Sequence, residues 1–364
     1  MGAKVGLIGL PNAGKSSLFN ALARANAQVA PYPFTTIDQN VGVAAIDDPR
    51  LQRLAAVVPH DKIVPTSLDV VDIAGLVKGA HQGEGLGNQF LSHVLAVDAL
   101  VQVVRCFSDA DVPHPMGEVD PARDVEIVNT ELLLKDLELV ERRLEKERKL
   151  AKGGDKQAQS HVERLGVVKA ALEQGTPVRR LGLDDVAHPR ALSLELLSAK
   201  PVIYVANVDE AALREPTDAV KRLAEIATRE KALLISLCVR LEAELVELEA
   251  ADRAEMIREL GLEEAALPRI VREAYQALAL LTFFTTASRM LQAWTVARGT
   301  HAPQAAGAIH TDFERNFIRA EVIPWETLVN CGGEAQARAK GVLRLEGKDY
   351  EVRDGDVIHF KVGA

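Results

Sequence analysis

At 364 residues the chain is longer than one compact domain usually is, and two or three domains are expected. Its 48% apolar and 26% charged residues are those of an ordinary globular protein. No apolar run approaches the roughly 20 residues of a membrane-spanning helix, so no membrane partner is expected. The net charge of −9 excludes a protein coated in positive charge but leaves room for a local basic face. Cys106, Cys238 and Cys331 are too few and too scattered for a disulfide framework or a zinc site, and they suit a reducing cytoplasm. The first strand pattern begins so near Met1 that no room is expected for a cleaved signal.

Val5–Ile8 reads as a short buried strand, and it runs into Gly9-Leu10-Pro11-Asn12-Ala13-Gly14-Lys15-Ser16. This is the phosphate-binding pattern G-x-x-x-x-G-K-S, and Ser17–Leu22 continues as a helix. Glycines let such a loop curl until successive backbone N–H groups face phosphate oxygens, and the helix N-terminus adds its dipole. Asn12, Ala13, Gly14, Lys15, Ser16 and Ser17 are therefore the expected cradle. Lys15 would reach the β- and γ-phosphates, and the Ser16 hydroxyl would ligate Mg²⁺.

Farther along, Pro33-Phe34-Thr35-Thr36 lies where switch NTPases keep a threonine that ligates Mg²⁺ only while the γ-phosphate is present. Asp72-Ile73-Ala74-Gly75 closes the next apolar strand, Ser67–Val71. There Asp72 is expected to hold Mg²⁺ through water, and the Gly75 N–H to sense the γ-phosphate. Leu76 follows, where Ras-type GTPases use a glutamine to orient the attacking water; a leucine cannot do this, and slow intrinsic hydrolysis is expected. Lys78–Gly87 supplies a glycine-rich second switch.

Leu100–Cys106 is the third strand, and Pro201–Ala206 the fourth. Between them, from about Asp124 to Leu197, the chain turns Leu/Glu/Lys/Arg-rich. Leu133, Leu137, Val140 and Leu144 recur at helix-face spacing, as do Val162, Leu165, Val168 and Leu172 beyond Lys152-Gly153-Gly154-Asp155. The pattern predicts an antiparallel helical hairpin. Arg142, Arg143, Lys146, Arg148, Lys149, Lys152 and Lys156 gather towards its tip. Two readings stay open: a solvated coiled coil whose glutamates offset these charges, or a contact with RNA or another partner.

Asn207-Val208-Asp209-Glu210 follows the fourth strand, where a GTPase carries Asn-Lys-x-Asp. In that motif the aspartate accepts from guanine N1–H and the 2-amino group while the lysine stem covers the base. Adenine lacks the 2-amino group, and its N1 is an acceptor that a carboxylate would repel. With Val208 and Glu210 in place of lysine and aspartate the reason for preferring guanine is lost, and Asn207 could still serve the adenine edge, so ATP is the expected ligand. After the fifth strand, Leu233–Leu237, Cys238 falls near the expected base edge; it reads either as a cleft residue sensitive to oxidation or as a buried structural thiol. Beyond Pro268 a small mixed unit is expected, with a strand at Leu280–Thr285, a helix at Arg289–Val296 and a final strand at Val357–Val362 after Asp354-Gly355-Asp356.

Taken together, Gly-Leu-Pro-Asn-Ala-Gly-Lys-Ser, Pro-Phe-Thr-Thr, Asp-Ile-Ala-Gly-Leu-Val-Lys-Gly-Ala and Asn-Val-Asp-Glu resemble the YchF (Obg-like ATPase) family over essentially the whole chain. The resemblance implies an Obg-type α/β nucleotide domain with a doubly wound, mostly parallel sheet. It also implies a helical hairpin insertion and a C-terminal TGS domain of β-grasp type. The division expected is 1–123 and 198–279 for the nucleotide domain, 124–197 for the insertion and 280–364 for the TGS domain. The activity implied is slow, Mg²⁺-dependent ATP hydrolysis with some GTP binding, in a monomeric cytoplasmic protein that associates with ribosomes. The resemblance selects Thr36 over Thr35 as metal ligand and matches Leu76 to the family's hydrophobic residue at the catalytic position. It leaves K⁺ open as a second cation at Asn12. His114, in Asp111-Val112-Pro113-His114-Pro115, matches a histidine directed to the γ-phosphate; the plainer alternative is a surface histidine fixed between prolines. An ordinary Obg-type GTPase and a nucleotide-gated RNA scaffold remain the rivals. A kinase using the hairpin as a lid would need a second pocket with catalytic arginines, which no motif announces.

Overall fold

Strands that are apolar on both sides must be covered on both sides, and the first sheet is built that way. The computed structural model describes residues 2–29, 40–73, 86–182 and 194–363. In chain order, the elements before the hairpin are β1 (Lys4–Ile8), α1 (Lys15–Val29), β2 (Val41–Ala45), α2 (Pro49–Ala55), β3 (Lys62–Val64), β4 (Ser67–Asp72), α3 (Leu86–Leu95) and β5 (Ala99–Arg105). The hairpin α4 (Pro121–Lys152) and α5 (Lys156–Glu173) comes next. It is followed by β6 (Val202–Asn207), α6 (Ala211–Arg214), α7 (Asp218–Glu230), β7 (Leu233–Leu237), α8 (Val239–Glu247), α9 (Ala250–Glu259) and α10 (Ala266–Ala277).

The sheet order is β2-β4-β1-β5-β6-β7, parallel throughout except for β2, which runs antiparallel to β4. Alternate side chains divide between two cores. Val5, Leu7, Val101 and Val103 meet Leu18 and Leu22 of α1 together with Ile270 and Ala274 of α10. Ile8, Leu100, Val104 and Tyr204 meet Val94 of α3, Val128 of α4 and Leu223 of α7. This doubly wound arrangement is the one expected. It sets the carboxyl ends of β1, β4, β5 and β6 along one rim, where ligands bind in such folds.

Helix α4 has 32 residues, about 48 Å at 1.5 Å per residue. Asp120 caps it by accepting from the N–H groups of Ala122 and Arg123, and Pro121 occupies its first turn. Asp155 caps α5 in the same way after the Gly153-Gly154 turn, where Gly154 has φ 90°. Leu133, Val140 and Leu144 interlock with Leu165, Val168 and Leu172 as predicted. The foot of α4 goes deeper: Val125, Val128 and Leu132 belong to the core of the nucleotide sheet. The hairpin is therefore rooted in that sheet.

The C-terminal sheet contains β8 (Leu280–Thr285), β9 (Met290–Ala297), β10 (Phe317–Pro324), β11 (Arg344–Glu346) and β12 (Asp356–Val362). Helices α11 (Ala302–Ile309), α12 (Thr311–Arg315), α13 (Trp325–Cys331) and α14 (Glu334–Ala339) pack around it. The order is β11-β10-β12-β8-β9-β3. One expectation is overturned here. Arg289–Val296, read as a helix, is mostly strand β9, paired antiparallel with β8 from Leu280↔Ala297 to Thr285↔Gln292. An eight-residue stretch fits either period; Thr295 and Val296 favour a strand, and the neighbouring β8 decides it.

The edge strand β3 comes from the first third of the chain and pairs parallel with β9. Leu51 and Leu54 of α2 fill the core formed by Phe284, Leu291, Ile323 and Leu328. Arg50 completes the junction with ion pairs to Asp48 at 2.7 Å and Asp354 at 2.6 Å. The excursion between β2 and β4 is thus part of the C-terminal unit, strapped to the nucleotide sheet at both of its ends. No helix among the described residues is long and apolar enough to cross a membrane.

Candidate nucleotide-binding site

The loop between β1 and α1 is shaped by two close approaches. A Cβ on Gly9, at φ 143°, would stand 2.3 Å from the Val103 carbonyl oxygen, and one on Gly14, at φ 100°, would stand 2.4 Å from Asn207 Nδ2. Only glycine fits either position. Asn12 has φ 63°, a left-handed conformation that asparagine tolerates better than most residues. Its Nδ2 donates to the Pro113 carbonyl at 2.9 Å. Ser16 and Ser17 lie exposed in the first turn of α1, beside N–H groups that the helix itself leaves free.

Lys15 is almost fully buried, and its Nζ donates to the Leu10 carbonyl at 2.8 Å. Burial lowers its pKa to about 8, while the charge of nearby Asp72 acts in the opposite direction. Asp72 ends β4, and its Oδ1 is buried without a hydrogen-bond partner among the described residues. A buried orphan carboxylate oxygen beside the phosphate-loop lysine fits a divalent cation in its vicinity. Thr35, Thr36, Gly75 and Leu76 lie outside the described residues.

On the base side, Asn207 at the end of β6 is buried and used at both ends of its amide. Nδ2 donates to the Ala13 carbonyl at 3.0 Å, and Oδ1 accepts from the Val239 N–H at 3.2 Å. Its first role is to brace the phosphate loop against α8, where the sequence suggested a free reader of the base edge. Val208 is buried and Glu210 is exposed. Cys238 is half-buried and not in a disulfide. A cleft of about 910 Å³ opens between these residues, with Asn12, Gly14, Ser17, Asn207, Glu210 and Cys238 in its lining. Cys106, by contrast, is buried, and desolvation pushes its thiol up to about 12.

His114 is not a surface histidine. Its side chain is 3% exposed, with Nε2 2.8 Å from Asp124 Oδ2 and Nδ1 accepting from the Met116 N–H at 3.2 Å. Both ring nitrogens are engaged in this arrangement, behind the phosphate loop and against the foot of α4. Burial raises the pKa of Asp124, and the bond from His114 opposes that rise.

The remaining wall of the cleft was missed by sequence reasoning. Phe107, Ser108, Asp109 and Val112 line it from the loop after β5. The available signal was Arg105, a charged residue at the carboxyl end of a parallel strand that is apolar apart from Gln102.

A doubly wound sheet, a glycine-constrained phosphate loop with a buried lysine, and an asparagine brace from the fourth parallel strand define a P-loop nucleoside triphosphatase with a GTPase-type nucleotide domain. A family model described as "50S ribosome-binding GTPase" matches residues 4–142, and YchF-GTPase_C, described as "Protein of unknown function (DUF933)", matches residues 280–363. The proteins named "Ribosome-binding ATPase YchF" of Bacillus subtilis and Haemophilus influenzae are each 46% identical over 99% of both chains. The protein of that name from Escherichia coli O157:H7 is 45% identical over the same share. The structure of the Schizosaccharomyces pombe YchF GTPase superposes with a TM-score of 0.89 at 38% identity, covering 99% of this chain and 97% of that one. The chain belongs to the YchF family.

Proposed function

We propose that this protein is a ribosome-associated, Mg²⁺-dependent ATPase switch of the cytoplasm. The observation that carries the choice of ATP is the pair Val208 and Glu210 after β6, in place of the lysine and aspartate that recognise guanine. The relatives named as ATPases support the same reading. The proposed division of labour gives Lys15 the developing charge on the γ-phosphate and the Gly75 N–H the γ-phosphate itself. Backbone N–H groups of residues 12–17 cradle the β-phosphate. Ser16, Thr36 and Asp72 hold Mg²⁺, which supplies neutralisation of the phosphate oxygens when bound. The side-chain oxygen of Asn12, whose nitrogen is spent on Pro113, is the group that would serve K⁺. Release of the His114 ring from Asp124 would be needed before it could act on the γ-phosphate side.

Contact with the ribosome is assigned to the hairpin tip. Along the shaft the cations are paired: Lys135 and Arg142 with Glu138, Arg143 with Glu147, and Lys169 with Glu141 and Glu173. At the tip, Lys149 pairs with Glu145. Lys146, Arg148, Lys152 and Lys156 are exposed and make no ion pair among the described residues. Unpaired cations at the end of a long lever suit the phosphates of RNA. The C-terminal unit, with β12 parallel to β8 and α11 packed across the sheet, is assigned to the TGS type.

The test is calorimetric titration of nucleotide-free protein with ATP and GTP in Mg²⁺, followed by co-sedimentation with ribosomes in each nucleotide state. Tighter ATP binding and nucleotide-dependent sedimentation are expected. A clear GTP preference would return the protein to the Obg-type GTPases.

A further inference from the structure

We propose that Arg105 is the positioning residue of the base side of the nucleotide cleft, holding the loop 107–113 in the shape that walls it. The inference rests on the nucleotide reading above and adds to it a residue outside the loop motifs.

Arg105 closes β5 and stands in register with Asn207 of β6. It is 2% exposed, and no carboxylate lies within ion-pair distance of it among the described residues. Its donors go to the chain instead: Nε to the Phe107 carbonyl at 3.2 Å, Nη2 to the Asp109 carbonyl at 3.2 Å and Nη1 to the Val112 carbonyl at 2.7 Å. The guanidinium also lies 4.4 Å from the centroid of the Phe107 ring. A buried guanidinium with no counter-ion carries a large desolvation cost. The cost is offset when a rigid planar fork gathers several carbonyls at once, here those of Phe107 and Val112 together with that of Asp109, which also accepts from the Val112 N–H. A lysine, with one nitrogen, cannot span the same set of acceptors, and a hydrophobic residue would satisfy none of them.

What the fork gathers is the cleft wall. Phe107, Ser108, Asp109 and Val112 all line the cleft that Asn207, Glu210 and Cys238 line from the other side. The far end of the loop is pinned independently, by Asn12 to Pro113 and by His114 to Asp124. Arg105 therefore sets the stretch that faces the base, and the phosphate loop holds the stretch that follows. Phe107 would receive the base against an aromatic edge already backed by a cation, and loss of Arg105 would release that edge while leaving the phosphate cradle in place.

The test compares MgATP with magnesium tripolyphosphate, which carries the phosphates without a base, on the full chain with wild-type Arg105, Arg105→Met, Arg105→Lys and Phe107→Ala. In Arg105→Met, affinity for ATP should fall about tenfold or more, with tripolyphosphate changed by less than about threefold. KM should rise more than kcat falls. Arg105→Lys should fall between wild type and Arg105→Met, and Phe107→Ala should reproduce the split while keeping the three backbone carbonyls that Arg105 bonds. The inference is overturned if ATP affinity is unchanged in Arg105→Met, or if ATP and tripolyphosphate are lost equally. Should Arg105→Met fail to fold, Arg105→Lys and Phe107→Ala decide the matter by the same ratio. A wild-type protein that binds tripolyphosphate as tightly as ATP would overturn the nucleotide reading itself, and this inference with it.

Discussion

Asn207 Nδ2 lies 3.0 Å from the Ala13 carbonyl oxygen while its Oδ1 takes the Val239 N–H, so one side chain ties the phosphate loop to the start of α8. Removing it strands a buried carbonyl and a buried N–H, at a cost of about 1–3 kcal/mol each. Asn207→Ala should therefore weaken ATP and GTP together and leave their ratio nearly unchanged. Titration with both nucleotides checks this; selective loss of ATP alone would mean that Asn207 reads the base.

Base choice should respond to the two residues beyond it. Val208→Lys combined with Glu210→Asp restores the hydrogen-bonding set that guanine needs. The ratio of GTP to ATP affinity should then rise by about tenfold or more, measured by competition binding.

Lys15 carries a testable pH signature. Burial lowers its pKa to about 8, so the free lysine loses its proton as pH rises through that value. Bound phosphate favours the charged form and raises the pKa again. Binding MgATP should therefore take up protons at pH 8–9 and none from this group near pH 6.5, and affinity should decline above pH 8. Calorimetry in buffers of different ionisation enthalpy reads the uptake directly, and Lys15→Ala should abolish it.

Replacing Lys146, Arg148, Lys152 and Lys156 together with glutamine should weaken sedimentation with ribosomes and flatten its salt dependence, by roughly one unit of slope for each phosphate no longer neutralised. Basal ATP hydrolysis should not change, because the tip is remote from the cleft. Retained ribosome binding with the wild-type salt slope would remove the tip from the interface.

Leu54 is fully buried in the C-terminal core although it belongs to α2, between β2 and β4. Leu54→Ala should cost about 2–5 kcal/mol, read by urea unfolding. Truncation after Ala279 should expose Leu51, Leu54 and Val58 and yield an aggregating fragment, whereas a fragment that stays monomeric would argue against this shared core.

Much of the fold was legible because its signals are local. The strand ending at Ile8, the glycines of the phosphate loop and the two leucine stripes of the hairpin each state their structure within a few turns of chain, and each is present in the structure. The Met290–Ala297 segment was not legible, because eight residues carry too few periods to separate a helix from a strand that pairs with a neighbour. The environment of His114 was equally illegible: two prolines suggest a surface loop, and only the approach of Asp124 from the foot of α4 buries the ring.

By itself the sequence determined that this protein binds a nucleotide through a phosphate loop, that a hairpin interrupts the nucleotide domain, and that the usual guanine-reading pair is absent. These properties follow from backbone conformation, periodicity and side-chain chemistry within single segments. Tertiary structure alone decided that β3 and α2 complete the C-terminal sheet and its core, and that Asn207 braces the phosphate loop. Sheet edges and buried polar groups take whichever partners the fold brings to them, and no pattern within one segment names partners that lie a hundred or more residues away.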